Sequence, residues 1–523
     1  MLKKISILIF ITCLIYSNQV LSQSILFPQD YFFEQYKNQN NYTTFSKDTF
    51  YHPSIFPVVN QNSLTYDSIN YYESDRNWIE RKFLQDNFIS LNKKDTLAGE
   101  VNDFKLTIDP ILNLNGGVAR SISEIRATYS NTRGVIANLQ INKRFKIETA
   151  FIENQSVFPL YISAQVNSSL DVLGQGRWKT FKKKGYDYAM SSGVVWWQAS
   201  KNIEIYLGHG KQKIGNGYRS FLLSDQAFNY PYARIDITAH KLKLKYTATY
   251  AVLMNLKPTV DNLTNRPEGT EALIQKKPFS YQYLSYQPSK YFSIALFQGI
   301  VWKPGDEKNK LNISPNYFNP IIFSNLATYG FNSTPEINAG IESNLKITKN
   351  TQLYCQLASD GKLDTNKRNR SFGLQIGLKL FNAFTLKNLF LQAEYNVYGG
   401  KLYQNTNLGG TPNLYTHYSQ NLAYRANLAD GKEIIGMVAY KYKRFLITAK
   451  ALLFPKDNYE KSSTFAEGKF SFILQPKTNM NVSAGCVLKD VHKKTNTLTG
   501  NPSRTQWIYL SFATSLFNSY YDF

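Results

Sequence analysis

From Lys241 to Val252 the chain alternates strictly. Lys241, Lys243, Lys245, Thr247 and Thr249 fall on one side; Leu242, Leu244, Tyr246, Ala248, Tyr250 and Val252 fall on the other. A strand with this pattern presents one face to an apolar surrounding and one to a polar surrounding. The pattern recurs, with Leu389, Leu391, Ala393, Tyr395 and Val397 interleaved with Gln392, Glu394 and Asn396, and with Phe470, Phe472 and Leu474 beside Lys469 and Ser471. No Pro/Gly/Ser linker or charge block divides the C-terminal four-fifths of this 523-residue chain, so one large all-β domain is the simplest reading.

The N-terminus says where that sheet is used. Lys3 and Lys4 precede an apolar run from Ile5 to Tyr16, and Val20 and Ser22 fit the −3 and −1 positions of a signal-peptide cleavage site. The mature chain is expected to begin at Gln23. Cys13 lies inside the apolar run and is not placed as a lipidation cysteine. A helical membrane span needs roughly 20 consecutive apolar residues, and no later segment approaches that. Aromatic residues make up 15% of the chain, with 37 Tyr and 34 Phe. Barrel strands put such rings toward lipid and in girdles at both interfaces. The expected architecture is a transmembrane antiparallel β-barrel, multi-pass in the outer membrane of a didermic bacterium, with both mature termini periplasmic and lipid and lipopolysaccharide around it.

Short polar turns at Asn142-Lys143-Arg144, Ser200-Lys201-Asn202, Pro288-Ser289-Lys290, Thr348-Lys349-Asn350, Tyr442-Lys443 and Pro476 to Asn479 read as hairpins. Longer connections at 154–186, 209–232, 255–277, 303–336 and 399–431 alternate with them. This asymmetry places turns at the periplasm and loops outside. Counting from Phe104–Asn113 to Gln506–Leu516 gives about 18 strands, with Val118 to Tyr129 readable as loop or strand. The closing Tyr521-Asp522-Phe523 resembles the terminal aromatic signal of barrel insertion. The domain reading is signal peptide 1–22, periplasmic extension 23–102 and barrel 103–523. The extension is expected to carry a short helix from Asp75 to Ile89, opened by Ser74, and to pack on the barrel's lower rim. Cys355 and Cys486 are expected to be unpaired, buried thiols.

The densest polar constellation runs from Tyr206 to Arg234. Its candidate lumen, binding or plug residues are His209, Lys211, Lys213, Asn216, Tyr218, Arg219, Ser224, Asp225, Asn229 and Arg234. Four glycines from Gly208 to Gly217 supply tight turns or close backbone approach. His209, Lys211, Arg219 and Asp225 suit a buried ion network in a loop folded into the lumen. His209 with Ser220 or Ser224 and Asp225 can be drawn as a triad, but proximity in sequence is not triad geometry. No catalytic residues are assigned. No His/Cys pair has zinc-ligand spacing, and no Gly-Lys-Ser/Thr ending makes the glycines a phosphate loop. No metal or cofactor is expected. The net charge of +23 suits solubility and lumen lining, or attraction of acidic glycans and lipopolysaccharide. Nucleic acid is not an expected partner of an exported chain.

Gly208 to Lys211, Ile214 to Ser220, Leu222 to Asp225 and Asn229 to Pro231 resemble gliding-motility outer-membrane proteins of the RemB type in Bacteroidetes. More distantly, they resemble the Wzi capsule-assembly barrels. Trp78 to Lys82, Leu106 to Pro110 and Asn131 to Gly134 extend the resemblance over most of the mature chain. The resemblance implies an 18-stranded barrel with an N-terminal periplasmic element. It also implies a non-catalytic part in organising the cell surface: gliding motility in one branch, attachment of surface polysaccharide in the other. The implied partners are a surface polysaccharide, gliding or secretion machinery, or a surface adhesin. A passive or gated porin is the alternative, and a barrel enzyme a third.

Overall fold

The structure is a computed structural model. It describes residues 30–32, 34–35, 54–57, 89–97, 100–142, 144–255, 275–302, 313–331, 335–361, 371–399, 402–403, 415–424, 431–455, 462–475, 480–492, 504–514 and 519–523. The signal peptide, the helix expected from Asp75 and the turn at 476–479 lie outside these residues. Ile89, expected to end the helix, instead opens a strand.

Eighteen strands close into one antiparallel barrel. They are β1 (Glu100–Ser121), β2 (Ile125–Ile141), β3 (Phe145–Val157), β4 (Gly185–Gln198), β5 (Ile203–Gly210), β6 (Tyr230–Ala239), β7 (Leu244–Asn255), β8 (Gln275–Tyr286) and β9 (Phe292–Val301). The circuit continues through β10 (Glu336–Lys346), β11 (Thr351–Ser359), β12 (Phe372–Phe381), β13 (Leu389–Tyr398), β14 (Gly431–Tyr442), β15 (Phe445–Phe454), β16 (Ser462–Gln475), β17 (Met480–His492) and β18 (Arg504–Thr514). It closes where β18 pairs with β1, from Thr505↔Ser121 to Ala513↔Asn113. The strand Ile89–Leu97 pairs with residues 100–108 of β1, so the sheet starts ahead of residue 103.

Alternation decides which way each strand faces. Along β15 every second residue from Leu446 to Phe454 is buried and every intervening one is exposed. The outward side chains are large and apolar, among them Val135, Phe151, Ile237, Ile376, Val438 and Ile447. In water such a belt would be a large apolar patch. In a bilayer it is the required surface, and ring closure pairs the backbone groups that hydrocarbon cannot satisfy. Among the described residues no helix is long and apolar enough to cross a membrane. The chain is therefore a transmembrane barrel of the outer-membrane type.

Several expectations are corrected in detail. Residues 240–242 form a 3₁₀ turn and Lys243 has φ 55°, so Lys241 and Lys243 lie in a hairpin rather than on the lumen face. The strand starts at Leu244, and Lys245, Thr247 and Thr249 do face inward and are buried. Val118 to Tyr129 is strand on both sides of a short reversal at 122–124. Both thiols are free but not buried: Cys355 is half-buried and Cys486 exposed. Each lies between inward-facing neighbours, which puts both on the outer wall.

An 18-stranded ring is too wide for side chains alone to fill. Here chain segments enter it. Residues 211–229, between β5 and β6, fold inward, and residues 415–424, between β13 and β14, join them. Pieces of the N-terminal extension enter the lumen as well: Tyr31, Gln35 and Ile55 are buried against this inner packing. The closing segment, residues 519–523, also turns inward. Phe523 ends against Tyr161, with ring centroids 5.8 Å apart, rather than on the lipid face of a strand.

Candidate functional site

The site is the inserted loop and what holds it. Two glycines let the loop approach the barrel wall. Gly215 has φ +134°, and a Cβ there would lie 2.2 Å from Gln356 Nε2. At Gly217 it would lie 2.5 Å from Gln375 Oε1 and 2.7 Å from Glu394 Oε2. The freed backbone is then captured by inward side chains. Glu394 accepts the amides of Tyr218 (2.7 Å) and Arg219 (3.2 Å), while Gln356 Oε1 accepts that of Phe221 (3.1 Å). Gln375 Nε2 donates to the Arg219 carbonyl at 3.0 Å.

Arg219 is the electrostatic centre. Its Nη2 and Nε donate to Glu433 Oε1 at 3.0 and 3.2 Å, and Nη1 to Asp522 Oδ1 at 3.1 Å. The guanidinium lies 4.9 Å from the Tyr218 ring centroid and 4.7 Å from that of Tyr424. Asp522 also accepts from Tyr218 Oη (2.5 Å) and Lys450 Nζ (2.7 Å). Burial alone would raise the Asp522 pKa, but Arg219 and Lys450 hold it well below the usual carboxylate range. A fully buried cation is tolerable only when paired and hydrogen-bonded, and Arg219 is both.

The remaining candidates serve the same insertion from other sides. Lys211 Nζ donates to the Asp225 carbonyl at 3.0 Å; burial pushes its pKa down to about 8, against the pull of Asp225. Lys213 Nζ donates to the Gly217 carbonyl at 3.0 Å. Asn216 Nδ2 bridges Ser54 Oγ and Glu342 Oε1, both at 2.9 Å. Ser224 donates its amide to the Leu422 carbonyl (2.6 Å), and Asp225 Oδ1 accepts from Tyr520 Oη (2.6 Å). Asn229 Nδ2 reaches the Ser191 carbonyl (2.8 Å) and Ser192 Oγ (2.6 Å). Arg234 clasps Asp236 with Nε and Nη2 at 2.7 and 2.5 Å and gives Nη1 to the Pro57 carbonyl at 2.9 Å.

His209 is the exception, because it lies on the strand face opposite Tyr206. Its Nδ1 is 3.2 Å from the Ser191 carbonyl and its ring packs on Phe228. Ser220 Oγ donates to the Ile214 carbonyl, and the Asp225 carboxylate is taken by Tyr520. The drawn triad is therefore not assembled, and the expected His209–Lys211–Arg219–Asp225 network is replaced by Arg219 with Glu433 and Asp522. His417 is a further participant. Met254 donates its amide to Nδ1 (3.0 Å), so Nε2 donates to the Asn229 carbonyl (3.0 Å), and burial drives its pKa down to about 3.

N-terminal pieces complete the packing. Ile55 and Phe56 pair antiparallel with Ile214 and Lys213. Tyr31 Oη donates to Gln392 Oε1 at 2.7 Å, with its ring edge-on to Tyr218. Sequence reasoning missed Tyr31, Ser54, Glu342, Glu433, Lys450 and Asp522. Inward strand phase was available for Glu342, Glu433 and Lys450; no local signal marks the others. A cavity of about 270 Å³ lies beside the insertion, between β1–β3 and β15–β18. Its walls carry Asn113, Asn115, Thr132, Ser483 and Ser511.

Fold and site together define a plugged, 18-stranded outer-membrane barrel. No protein-family model matches the chain, and no curated protein does. Among solved structures it is similar to Wzi of Escherichia coli, an outer-membrane protein involved in group 1 capsule assembly and described as a carbohydrate-binding β-barrel. That match has 11% identity and a TM-score of 0.45, over 77% of this chain and 85% of Wzi. It is also similar to OpdL of Pseudomonas aeruginosa (9% identity, TM-score 0.44, 79% and 99% covered). OccAB4 of Acinetobacter baumannii gives 9% identity and a TM-score of 0.43, with 78% and 97% covered.

Proposed function

We propose that the protein is a non-catalytic organiser of the cell surface. In this reading the barrel is an anchor, and its loops hold a surface polysaccharide, an adhesin or a component of gliding machinery. The observation that carries it is the insertion itself: residues 211–229 are bonded to the wall, to residues 415–424, to the N-terminal pieces and to Asp522. A scaffold stiffened this way suits presentation of loops better than diffusion through the lumen. The resemblance of the Gly208–Pro231 segments to gliding and capsule-assembly proteins points the same way. The residual cavity favours a second reading, passage of small polar solutes along the unfilled side of the lumen.

The two readings separate in one deletion strain, assayed for spreading, for retention of surface polysaccharide and for solute uptake, with conductance of the purified barrel in planar bilayers. Loss of spreading or polysaccharide with negligible conductance is the expected result. A defect confined to solute uptake, with steady single-channel currents, replaces the anchor reading by the pore.

A further inference from the structure

The connection between β9 and β10 does something else. Residues 313–331 do not stand above the barrel; they lie down its outer wall as a 3₁₀ turn, Pro315–Phe318, followed by a short helix, α1 (Ser324–Tyr329). The wall holds the segment by its carbonyls. Tyr250 Oη donates to Phe318 O at 3.2 Å, Gln282 Nε2 to Asn319 O at 3.2 Å, and Tyr246 Oη to Pro320 O. In return Tyr317 Oη donates to Ala251 O at 3.1 Å. Trp302 and Tyr317 pack over Ile300 and Ile337.

Beneath it the wall is polar, where β14 and β15 present Val438 and Ile447. Gln282 and Gln298 face each other across β8 and β9 on the outer side, are fully buried, and bond to one another at 3.3 Å. Ser280, two residues along, accepts from Trp302 Nε1 at 3.0 Å. Gln282 stands four residues from the turn end of β8, Tyr286, and Tyr246 two residues from Leu244, the turn end of β7. The segment thus descends past the middle of the belt.

An independent observation comes from sequence. From Leu311 to Pro335 no residue is charged, in a chain that is 19% charged, while the eight residues before it include Lys303, Asp306, Glu307, Lys308 and Lys310. Hydrocarbon tolerates irregular backbone and polar side chains only where protein partners satisfy them. Every polar side chain from Ser314 to Tyr329 has one. Asn316 Nδ2 donates to Tyr329 Oη (2.7 Å), Asn325 Nδ2 to Asn316 O (3.2 Å), Ser324 Oγ to Ile321 O (2.7 Å) and Thr328 Oγ1 to Ser324 O (3.0 Å). Asn319 Oδ1 accepts the Ile321 amide and Ser314 Oγ that of Asn316. The large side chains left facing outward are Ile313, Phe318 and Ile321, exposed by 46, 56 and 65%.

We propose that residues 313–331 form a membrane-embedded strap. Lipid acyl chains cover its outer face, and its inner face seals the Ser280–Gln282–Gln298 patch from hydrocarbon. The strap rests on the reading of the chain as a membrane barrel and not on its cellular role. The side chains favour lipid over an in-plane protein, because none carries a charge and each polar one from Ser314 to Tyr329 already bonds within the segment or to the wall.

The test places a nitroxide at Ile313→Cys, Phe318→Cys or Ile321→Cys in a Cys355→Ser/Cys486→Ser background, because both native thiols lie on the outer wall. Full-length protein is reconstituted in phosphatidylethanolamine/phosphatidylglycerol liposomes. Ile447→Cys, on the bare belt, is the reference. Oxygen should relax the labels at 318 and 321 as strongly as the reference, a water-soluble nickel complex should not, and the label at 313 should be shallower. Nickel access at 318 and 321 with the reference still lipid-exposed overturns the strap alone. Nickel access at Ile447 as well overturns the barrel placement. A photoreactive benzophenone replacing Phe318 in intact cells should yield lipid adducts; one discrete protein adduct overturns the assignment in favour of an in-plane partner.

Discussion

Inside the lumen the chain buries charge; beneath the segment 313–331 on the outer wall it buries neutral polarity. Arg219 brings a full cation into the barrel and is met by Glu433, Asp522 and the rings of Tyr218, Tyr424 and Tyr520. On the outside, Gln282 and Gln298 are covered by a segment with no charge, through carbonyls, amides and hydroxyls. The inner packing can draw acidic partners from many strands around a polar ring. The outer segment has one patch of wall beneath it and hydrocarbon beyond, so an unmatched charge there has nowhere to go.

The comparison breaks most visibly at Arg219. Arg219→Met leaves Glu433 and part of Asp522 buried without their cation, and removing one partner of a buried pair costs about 3–5 kcal/mol. Urea unfolding of the refolded barrel should fall by that order, and Arg219→Met/Glu433→Met should recover part of it. Full stability of the single variant would mean the inserted loop does not depend on its ion network. The outer wall is sharpened by depth. Val438→Arg near the middle of β14 should cost roughly 2–4 kcal/mol of folding into lipid vesicles, and Ile122→Arg at the rim about 0–1 kcal/mol. Equal costs at the two positions would mean the belt is misplaced.

The barrel was legible because lipid and lumen impose a period of two on every strand, and turn residues punctuate it. The Tyr206–Arg234 stretch stood out through its glycines and charges. Its partners did not, since Arg219 and Asp522 are separated by 303 residues, and strand phase says only that Glu433 or Lys450 faces inward. Asp522 reads, with its neighbours, as a terminal signal after the last strand, and such a signal says nothing of a turn inward to Arg219. Tyr31 and Ser54 sit in a segment without alternation, which carries no information about where it packs. The connection 303–336 reads as an outside loop because long loops usually are; the absence of charge from Leu311 to Pro335 is the overlooked signal.

Close approach is a smaller test of the inner packing. Gly217→Ala would bring a Cβ within 2.5 Å of Gln375 Oε1, and such overpacking typically costs about 1–3 kcal/mol. Thermal unfolding should drop accordingly. An unchanged midpoint would show that the loop can retreat from Glu394 without loss.

The smallest effect is the most diagnostic, because it follows one proton. Lys211 is buried against the Asp225 carbonyl, with its pKa lowered from 10.5 to about 8. Above pH 8 the folded protein has released this proton, while the unfolded chain keeps it until about pH 10.5. Across that window the unfolded state binds more protons, so this group makes stability rise with pH. Below pH 8 both states carry the charge and its contribution is flat. Lys211→Met removes the titration, so the stability difference between native protein and variant should be constant up to pH 8 and then shift in favour of the native protein as pH rises. Measured from pH 6 to pH 10 by urea unfolding, a difference that never changes slope would place Lys211 in contact with water and the inserted loop in a looser packing than the Arg219 side implies.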